Sequence, residues 1–277
     1  MILAIGEVLI DFIGKGEISK ADSFRKCFGG APANVARGIA RLGGEAGMLA
    51  RVSDDGFGKF LFETLKESGV DVSGVVIDKK RKTRLAFVSV KEGGEREFTF
   101  YSEDCADEAL GPDDIDESFV SKTKILHYGS IGMMSKKGEE ATKKAVGIVK
   151  KCGGLISYDP NLRPMLWGSE EELRKKVMLG LKFADILKVD EKELEFITGE
   201  GEVEKGVEKL PEVKLACITL GKHGCWFYHD NKLERHNGYK INATDTTGAG
   251  DAFVSGLLFG MAKGHGISKS VDLANAV

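Results

Sequence analysis

Apolar and polar positions in the second half of the chain follow the rhythm of alternating strands and helices. From about residue 113 onward, short apolar runs of strand length are separated by longer amphipathic stretches of helix length. The predicted strands are 124–128, 154–158 and 186–189, and the predicted helices are 138–150, 170–181 and 191–198. This alternation predicts an α/β fold with a mostly parallel central sheet that is covered by helices on both faces.

The first seventy residues follow a similar rhythm. Residues 1–13 predict one buried strand, 32–42 predict a helix with Pro32 in its first turn, and 58–68 predict an amphipathic helix. Ligands of parallel sheets bind outside the carboxyl ends of the strands. Polar residues that follow apolar strand runs are therefore candidates for chemistry, and these are Asp11, Asp159, Asn161 and Asp190.

A second pattern interrupts this rhythm. Residues 84–91 and 96–101 alternate between apolar and polar positions with period two around the turn 92–95, which predicts a β-hairpin with one apolar face. Together with the alternating stretch 14–28, the hairpin predicts a small β layer inserted into the larger fold. The expected division is an α/β domain over 1–13, 29–73 and 106–277, with an inserted β layer over 14–28 and 74–105.

The composition of the chain argues against a nucleic-acid-binding protein, a membrane protein and a secreted protein held by disulfides. The 277 residues include 40 Lys and Arg and 43 Asp and Glu, a net charge of −3, whereas a protein that binds nucleic acid through its backbone usually has a basic excess. No apolar stretch approaches the ~18 residues of a membrane span. The five cysteines are widely spaced without a CxxC pair, which favours a reducing, cytoplasmic location over a secreted disulfide framework.

A zinc site is one alternative for the region that holds Cys217, His223, Cys225 and His229. Their spacing fits no standard structural zinc pattern. The surrounding residues predict a strand, a turn and a second strand, in which the two cysteines are small apolar core residues. We favour the core interpretation.

The glycine-rich segment 245–251, with the sequence DTTGAGD, precedes an almost wholly apolar run that predicts a buried helix. Gly248, Ala249 and Gly250 allow the backbone to approach a ligand, and the N–H groups at the helix start favour an anion. Asp251 is then either a helix cap or a base that takes a proton from an attacking hydroxyl. The residues alone favour neither interpretation.

A second glycine-rich segment, 29–34, has the sequence GGAPAN and precedes a helix lined with small residues. Asn34 offers both a donor and an acceptor, which suits the recognition of hydroxyl groups. Taken alone, the segment is best interpreted as an ordinary turn between a loop and a helix.

The two segments together resemble the signatures of the ribokinase/pfkB family of carbohydrate kinases. Within that family the chain is similar to fructokinases, because six further runs occur in the expected order: GEVLIDF, FTFYSEDCAD, HYGSIGMM, ISYDPNLRPMLW, LKVDEKELEFITG and ITLGKHG. The resemblance implies a ribokinase-like, Rossmann-type α/β fold with a small β-sheet lid. It also implies transfer of the γ-phosphoryl group of ATP to a sugar hydroxyl with Mg²⁺, and a monovalent cation such as K⁺ is a further candidate cofactor.

The resemblance also assigns roles to individual residues. Asp251 becomes the catalytic base, and the anion hole for the transferred phosphoryl group consists of Gly248, Ala249 and Gly250. The sugar contacts are Asp11, Gly30 and Asn34, and Arg163 becomes a cation near the phosphates or the sugar. The nucleotide-binding residues are Thr219, Gly221, Gly224 and Asn275, the last in a wall of the adenine pocket. Glu193 organises Mg²⁺ and its waters, and Asp190 stands where the family usually has Asn.

Several functions remain open at this stage. A fructokinase is the leading hypothesis, and kinases of 2-keto-3-deoxygluconate or ribose are close alternatives. A nucleoside kinase would need an aromatic pair that stacks a base near the lid, and a non-catalytic sugar sensor would be expected to lack Asp251. The expected partners are a small sugar and ATP, without nucleic acid or membrane, and a homodimer through the lid is a further hypothesis.

Overall fold

A computed structural model describes residues 1–90, 96–241 and 246–277. The turn predicted at 92–95 and Asp245 of the glycine-rich segment lie outside the described residues. The strands are β1 (Ile2–Ile5), β2 (Leu9–Lys15), β3 (Arg25–Gly29), β4 (Ala46–Ser53), β5 (Val75–Asp78), β6 (Leu85–Val90), β7 (Arg96–Tyr101), β8 (Ile125–Tyr128), β9 (Leu155–Tyr158), β10 (Ile186–Asp190), β11 (Leu215–Thr219), β12 (Cys225–His229) and β13 (Lys232–His236). The α-helices are α1 (Ala31–Arg41), α2 (Gly56–Glu67), α3 (Glu117–Val120), α4 (Lys136–Lys151), α5 (Glu170–Leu181), α6 (Glu191–Thr198), α7 (Val203–Glu208), α8 (Ala249–Ala262) and α9 (Ile267–Ala276).

The large sheet has the strand order β13-β12-β11-β10-β9-β8-β1-β4-β5 in the described part of the chain. The pairs from β11 to β5 are parallel, and β12 and β13 close one edge as an antiparallel hairpin. The mostly parallel α/β sheet predicted from the sequence is therefore confirmed.

Helices cover both faces of this sheet, as the unbroken apolar strands require. All four residues of β1 are buried. Leu3 and Ile5 pack in one core with residues of α4, whereas Ile2 packs with α1 and α8 on the opposite face. The side chains alternate because successive strand residues point to opposite faces. α1 and α8 are thereby fixed side by side on one face, and their N-termini form part of the site described below.

The small sheet consists of four strands in the order β3-β2-β6-β7. Its first strand corrects the prediction of a single strand over 1–13. β1 ends at Ile5 and β2 starts at Leu9, and Gly6 between them has φ +148°, a conformation that breaks a regular strand. Asp11 therefore lies within the small sheet, paired with Cys27, and not at the carboxyl end of a strand of the large sheet.

β5 is a second difference from the expected pattern. The stretch 74–105 was predicted as part of the inserted β layer, but Val75–Asp78 pairs in parallel with β4 at the edge of the large sheet. The short strand follows α2 and so completes a strand-helix-strand unit, a connection that favours parallel pairing. Within the described residues of 74–105, β6 and β7 form the predicted antiparallel pair.

No helix in the described ranges combines the length and the apolar character needed to cross a membrane.

Candidate active site

A cavity of about 950 Å³ lies between the large sheet and the small sheet. The carboxyl ends of β10 and β11 form its floor, the N-termini of α1 and α8 form one side, and one face of the small sheet forms another. The lining residues that carry chemistry are Glu7, Asp11, Asn34, Asn161, Arg163, Lys188, Asp190, Glu193, Thr219 and Asp251. The cavity thus brings together residues from almost the whole length of the chain.

Asp251 lies in the first turn of α8 and is only 8% exposed. The residue that precedes the helix is Gly248, in the left-handed conformation with φ +78°, and this N-cap residue has no side chain that could cap the helix. The Asp251 carboxylate instead accepts hydrogen bonds from Asn34 Nδ2 at 2.9 Å and from Asn161 Nδ2 at 3.4 Å. The helix-cap interpretation of Asp251 is therefore wrong, because its side chain points across the cavity.

The environment of Asp251 raises its pKa to about 7. Burial is the main cause, because it disfavours the charged carboxylate. The Asn34 hydrogen bond lowers the pKa, the charge of Asp159 raises it, and the cations Lys188 and Arg163 lower it. A carboxylate with this pKa can both accept and release a proton near neutral pH, which suits a general base.

Lys188 is a buried cation next to Asp251, and its role is absent from the sequence predictions. Its Nζ lies 3.0 Å from Asp159 Oδ2 and 4.0 Å from Glu193 Oε2. Burial lowers the pKa of Lys188, but the two carboxylates more than offset this effect, and the pKa lies above its usual range. A Cβ added at Gly250 would lie 3.0 Å from Nζ, so the ammonium group sits directly at the start of α8.

Asp190 and Glu193 form a reciprocal cap at the start of α6. Asp190 Oδ1 accepts a 2.8 Å hydrogen bond from Glu193 N, and Glu193 Oε2 accepts a 2.9 Å bond from Asp190 N. Glu193 Oε1 accepts a further bond from Leu162 N at 2.9 Å. Both oxygens of Glu193 are thus used by backbone N–H groups, whereas Asp190 is exposed at the cavity wall.

The contacts of Asp190 and Glu193 indicate how these two residues could hold a Mg²⁺ ion. In the described ranges, no three His, Cys, Asp or Glu side chains cluster as a metal site would require. Mg²⁺ in phosphate-transfer sites usually keeps several waters and uses one or two carboxylates together with the phosphates. Asp190 and Glu193 fit such a water-mediated arrangement better than a site built from protein ligands alone.

The predicted sugar contacts meet on the side of the cavity next to the small sheet. The pKa of Asp11 is raised to about 6, because burial raises it by more than the nearby Arg163 guanidinium lowers it. A Cβ added at Gly29 would lie 2.4 Å from Asp11 Oδ2, and one added at Gly30 (φ +103°) would lie 2.4 Å from the carbonyl oxygen of Glu7. The glycine pair is therefore required by close packing around the pocket.

An apolar wall faces these polar groups. It is formed by side chains of the small sheet, namely Leu9, Ile13, Val88, Phe98 and Phe100. The rings of Phe98 and Phe100 are nearly parallel, with their centroids 6.1 Å apart. Both alternate residues of β7 therefore point into the cavity.

Of the four predicted nucleotide-binding residues, two line the cavity and two do not. Thr219 and Gly221 line the cavity. Gly224 (φ +87°) is buried against the backbone of 236–238, where an added Cβ would lie 2.1 Å from His236 O. Asn275 donates to Val271 O at 2.9 Å and to Cys225 Sγ at 3.3 Å. Neither Gly224 nor Asn275 is among the described residues that line the cavity.

The cysteines considered for zinc are core residues. Cys217 and Cys225 lie on the neighbouring strands β11 and β12, and both are fully buried in the core under α8. The prediction that they are small apolar residues on adjacent strands is confirmed.

Comparison with known proteins places this geometry in context. Residues 1–277 match the model of the pfkB family carbohydrate kinase. Fructokinase-1 of Oryza sativa subsp. japonica is 44% identical over 264 residues, which cover 93% of this chain and 82% of that protein. An uncharacterized sugar kinase of Pyrococcus horikoshii in complex with ATP has a TM-score of 0.91 and 36% identity, over 100% of this chain and 90% of that one. Fructokinase from Vibrio cholerae O395, with fructose, ADP and calcium ion bound, has a TM-score of 0.90 and 35% identity, over 99% of this chain and 90% of that one.

Proposed function

From the premise that this chain belongs to the pfkB family of carbohydrate kinases, we propose that its cavity transfers the γ-phosphoryl group of ATP to a hydroxyl of fructose. One observation carries the proposal. The buried Asp251 is held by Asn34 at 2.9 Å beside the glycine-bearing start of α8, in the same cavity as Asp11 and Arg163. A candidate base, a candidate anion site and groups suited to hydroxyls thus share one cavity.

Asp251 takes the proton of the attacking sugar hydroxyl. The resulting oxygen forms a bond to the γ-phosphorus, the bond between that phosphorus and the β–γ bridging oxygen breaks, and ADP leaves. The backbone of Gly248, Ala249 and Gly250 at the start of α8 stabilises the negative charge of the transferred group. Lys188, whose ammonium group lies against Gly250, adds a fixed positive charge at the same point.

The sugar is bound between Asp11, Asn34 and Arg163 on the polar side and the apolar wall of the small sheet on the other. Carboxylate and amide groups form directed hydrogen bonds with neighbouring hydroxyls, and the apolar wall covers the carbon face of the ring. We propose that the small sheet acts as a lid that excludes water during transfer. The placement of Phe98 and Phe100 in the same cavity as Asp11 supports this role.

ATP is expected to occupy the side of the cavity near Thr219 and Gly221. Mg²⁺ would be held mainly by the phosphates, with Asp190 and Glu193 organising its waters, and would supply positive charge that neutralises the phosphate oxygens. A role of Asn275 in the adenine pocket and a requirement for K⁺ remain proposals. Exchange of K⁺ for Na⁺ in the assay tests the latter, and sedimentation analysis tests the proposed homodimer through the small sheet.

A nucleoside kinase is the second candidate, because the nearly parallel rings of Phe98 and Phe100 line the cavity and offer aromatic surface to a base. The deciding experiment measures kcat/KM with ATP for fructose, 2-keto-3-deoxygluconate, ribose and adenosine in parallel. The proposal expects the highest value for fructose. A preference for ribose or 2-keto-3-deoxygluconate would change only the choice of sugar, whereas a preference for adenosine would overturn the substrate class.

A further inference from the structure

Glu7 is a buried carboxylate where the chain passes from the large sheet to the small sheet, between β1 and β2. It is 3% exposed, and its Oε1 accepts a 3.0 Å hydrogen bond from the backbone N–H of Ala31, the first residue of α1. Its carbonyl oxygen also lies against Gly30, which has no room for a side chain there. Glu7 therefore contacts the first turn of α1 through both its side chain and its backbone.

The first turn of α1 ends at the residue that holds Asp251. Asn34 N donates to Gly30 O at 2.8 Å, and Asn34 Nδ2 donates to Asp251 Oδ2 at 2.9 Å. A short path of hydrogen bonds thus leads from Glu7 through Ala31 and one helical turn to Asp251. A displacement of this turn would lengthen the bond from Asn34 to Asp251.

Glu7 also borders a charge cluster, which we define as the buried Arg84 and Asp107 and the partly exposed Glu108. Arg84 is 1% exposed, and it donates to Asp107 Oδ2 at 2.7 Å and to Glu108 Oε1 at 2.9 Å. Its carbonyl oxygen accepts a 3.1 Å bond from Ile10 N at the start of β2. The cluster lies where β6 begins and the chain returns from β7, so it marks the root of the small sheet beside Glu7.

Three side-chain atoms of ionisable groups in this region are buried without a hydrogen-bond partner among the described residues. They are Glu7 Oε2, Arg84 Nη1 and Asp107 Oδ1. Unpaired polar atoms are costly in a protein interior, and replacing such groups by apolar side chains of similar volume often leaves the stability unchanged or raises it. A buried carboxyl group at position 7 is therefore poorly explained by stability alone, and its side chain forms a hydrogen bond with Ala31 at the start of α1.

We propose that Glu7 is a positioning residue, which fixes the first turn of α1 at the root of the small sheet and so holds Asn34 against Asp251. The inference rests on the proposed role of Asp251 as the base. Glu7 acts through its acceptor oxygen on Ala31 and does not contact the reacting atoms.

Three substitutions separate the hydrogen bond from the charge. Glu7→Gln keeps an acceptor of the same reach without charge, Glu7→Asp keeps the charge but shortens the reach, and Glu7→Met removes both. We expect Glu7→Gln to keep kcat within about threefold of the parent, and Glu7→Asp and Glu7→Met to lower it by ~10-fold or more with KM for ATP unchanged. Glu108→Gln, which changes the charge cluster without touching α1, is the matched control and is expected to leave kcat unchanged.

The pH dependence of kcat/KM distinguishes positioning from a merely structural role. The Asn34 hydrogen bond lowers the pKa of Asp251, so its loss in Glu7→Met or Glu7→Asp moves the acidic limb of the profile to higher pH. The charges of Asp159, Lys188 and Arg163 around Asp251 stay in place. In Glu7→Gln the acidic limb of the kcat/KM profile should lie at the same pH as in the parent. Because this variant has no titratable group at position 7, that result would also exclude Glu7 as the group that titrates in the limb.

A double variant gives the closing test. If Glu7 acts through Asn34, Glu7→Met combined with Asn34→Ala lowers kcat/KM no further than Asn34→Ala alone. Additive losses, parental kinetics in both Glu7→Met and Glu7→Asp, or equal losses in Glu7→Gln and Glu7→Met would overturn the inference. Should Glu7→Met not fold, the contrast between Glu7→Gln and Glu7→Asp decides in the same way.

Hydrogen exchange provides a readout that does not depend on activity. The backbone N–H groups of 30, 31 and 33–36 should exchange faster in Glu7→Asp than in the parent, whereas in Glu7→Gln they should keep parental rates. If the parent phosphorylates none of the sugars but this exchange pattern is found, the proposed function fails while the anchoring of α1 by Glu7 stands. Unchanged exchange in Glu7→Asp would contradict the anchoring itself.

Discussion

Replacing Asp251 by Asn should make the protein more stable while it removes most of the activity. The substitution keeps the size of the side chain and removes the buried charge. The pKa of Asp251 rises from 3.8 to about 7 on folding. At ~1.4 kcal/mol per tenfold change, ionisation of the buried carboxylate costs the folded state about 4 kcal/mol once the pH exceeds 7.

The sign of this effect changes with pH in a defined window. Between pH 3.8 and about 7 the unfolded chain has already lost the proton that the folded chain keeps, so stability falls as the pH rises. Above pH 7 both states are ionised and the penalty is constant. The gain in unfolding free energy from Asp251→Asn should therefore be larger at pH 8 than at pH 5, by about 2–3 kcal/mol.

Urea unfolding of the ligand-free protein at pH 5 and pH 8 measures this difference. Asp22→Asn, at an exposed position, is the control and should leave the unfolding free energy unchanged at both pH values. The same preparations should show kcat lowered by ~10²–10⁴ in Asp251→Asn, the usual contribution of a general base. The reasoning about a buried base would be refuted if Asp251→Asn differed from the parent by the same unfolding free energy at pH 5 and at pH 8. It would also be refuted if the variant kept its turnover.

Three further predictions concern the groups around Asp251. Lys188→Met should lower kcat by ~10²-fold or more in coupled ADP assays, because a fixed charge at the transferred group is lost, and a parental kcat would exclude that role. Gly250→Val should abolish turnover with an unchanged circular dichroism spectrum, since its side chain would displace Lys188 Nζ, 3.0 Å from the added Cβ; unfolding would instead indicate a purely structural turn. Asp11→Ala should raise KM for fructose by ~10–100-fold and leave KM for ATP unchanged, and an equal effect on both values would contradict a sugar contact.

The fold was largely predictable because its signal is local. The apolar runs of the parallel strands and the amphipathic helices between them each occupy one continuous stretch of sequence. The error at the N-terminus has a physical cause. Gly6 adopts φ +148° and is followed by Glu7, but apolar residues of strand character continue on both sides of this pair, so the pattern does not show that the chain leaves one sheet and enters another.

The site was predictable in its glycine-rich segments and not in its buried charges. The glycines before the two helices draw attention to Asp251 and Asn34, although the roles proposed for both residues come from the family resemblance. The structure brings both residues into one cavity. Lys188 is a lone cation within the apolar stretch 186–189, and Glu7 is a charged residue in a mostly apolar N-terminal run. Their importance depends on contacts with residues far away in the chain, such as Asp159 and Ala31, which no local pattern contains.

The central claim is that Asp251 activates a fructose hydroxyl for attack on ATP, and ³¹P NMR of the reaction tests it most directly. The parent protein, incubated with ATP, Mg²⁺ and fructose, should form a sugar monophosphate in step with ADP. Asp251→Asn should form it slower by ~10²–10⁴ under the same conditions. ADP release without a sugar phosphate, or formation of the sugar phosphate by Asp251→Asn at the parental rate, would contradict the claim.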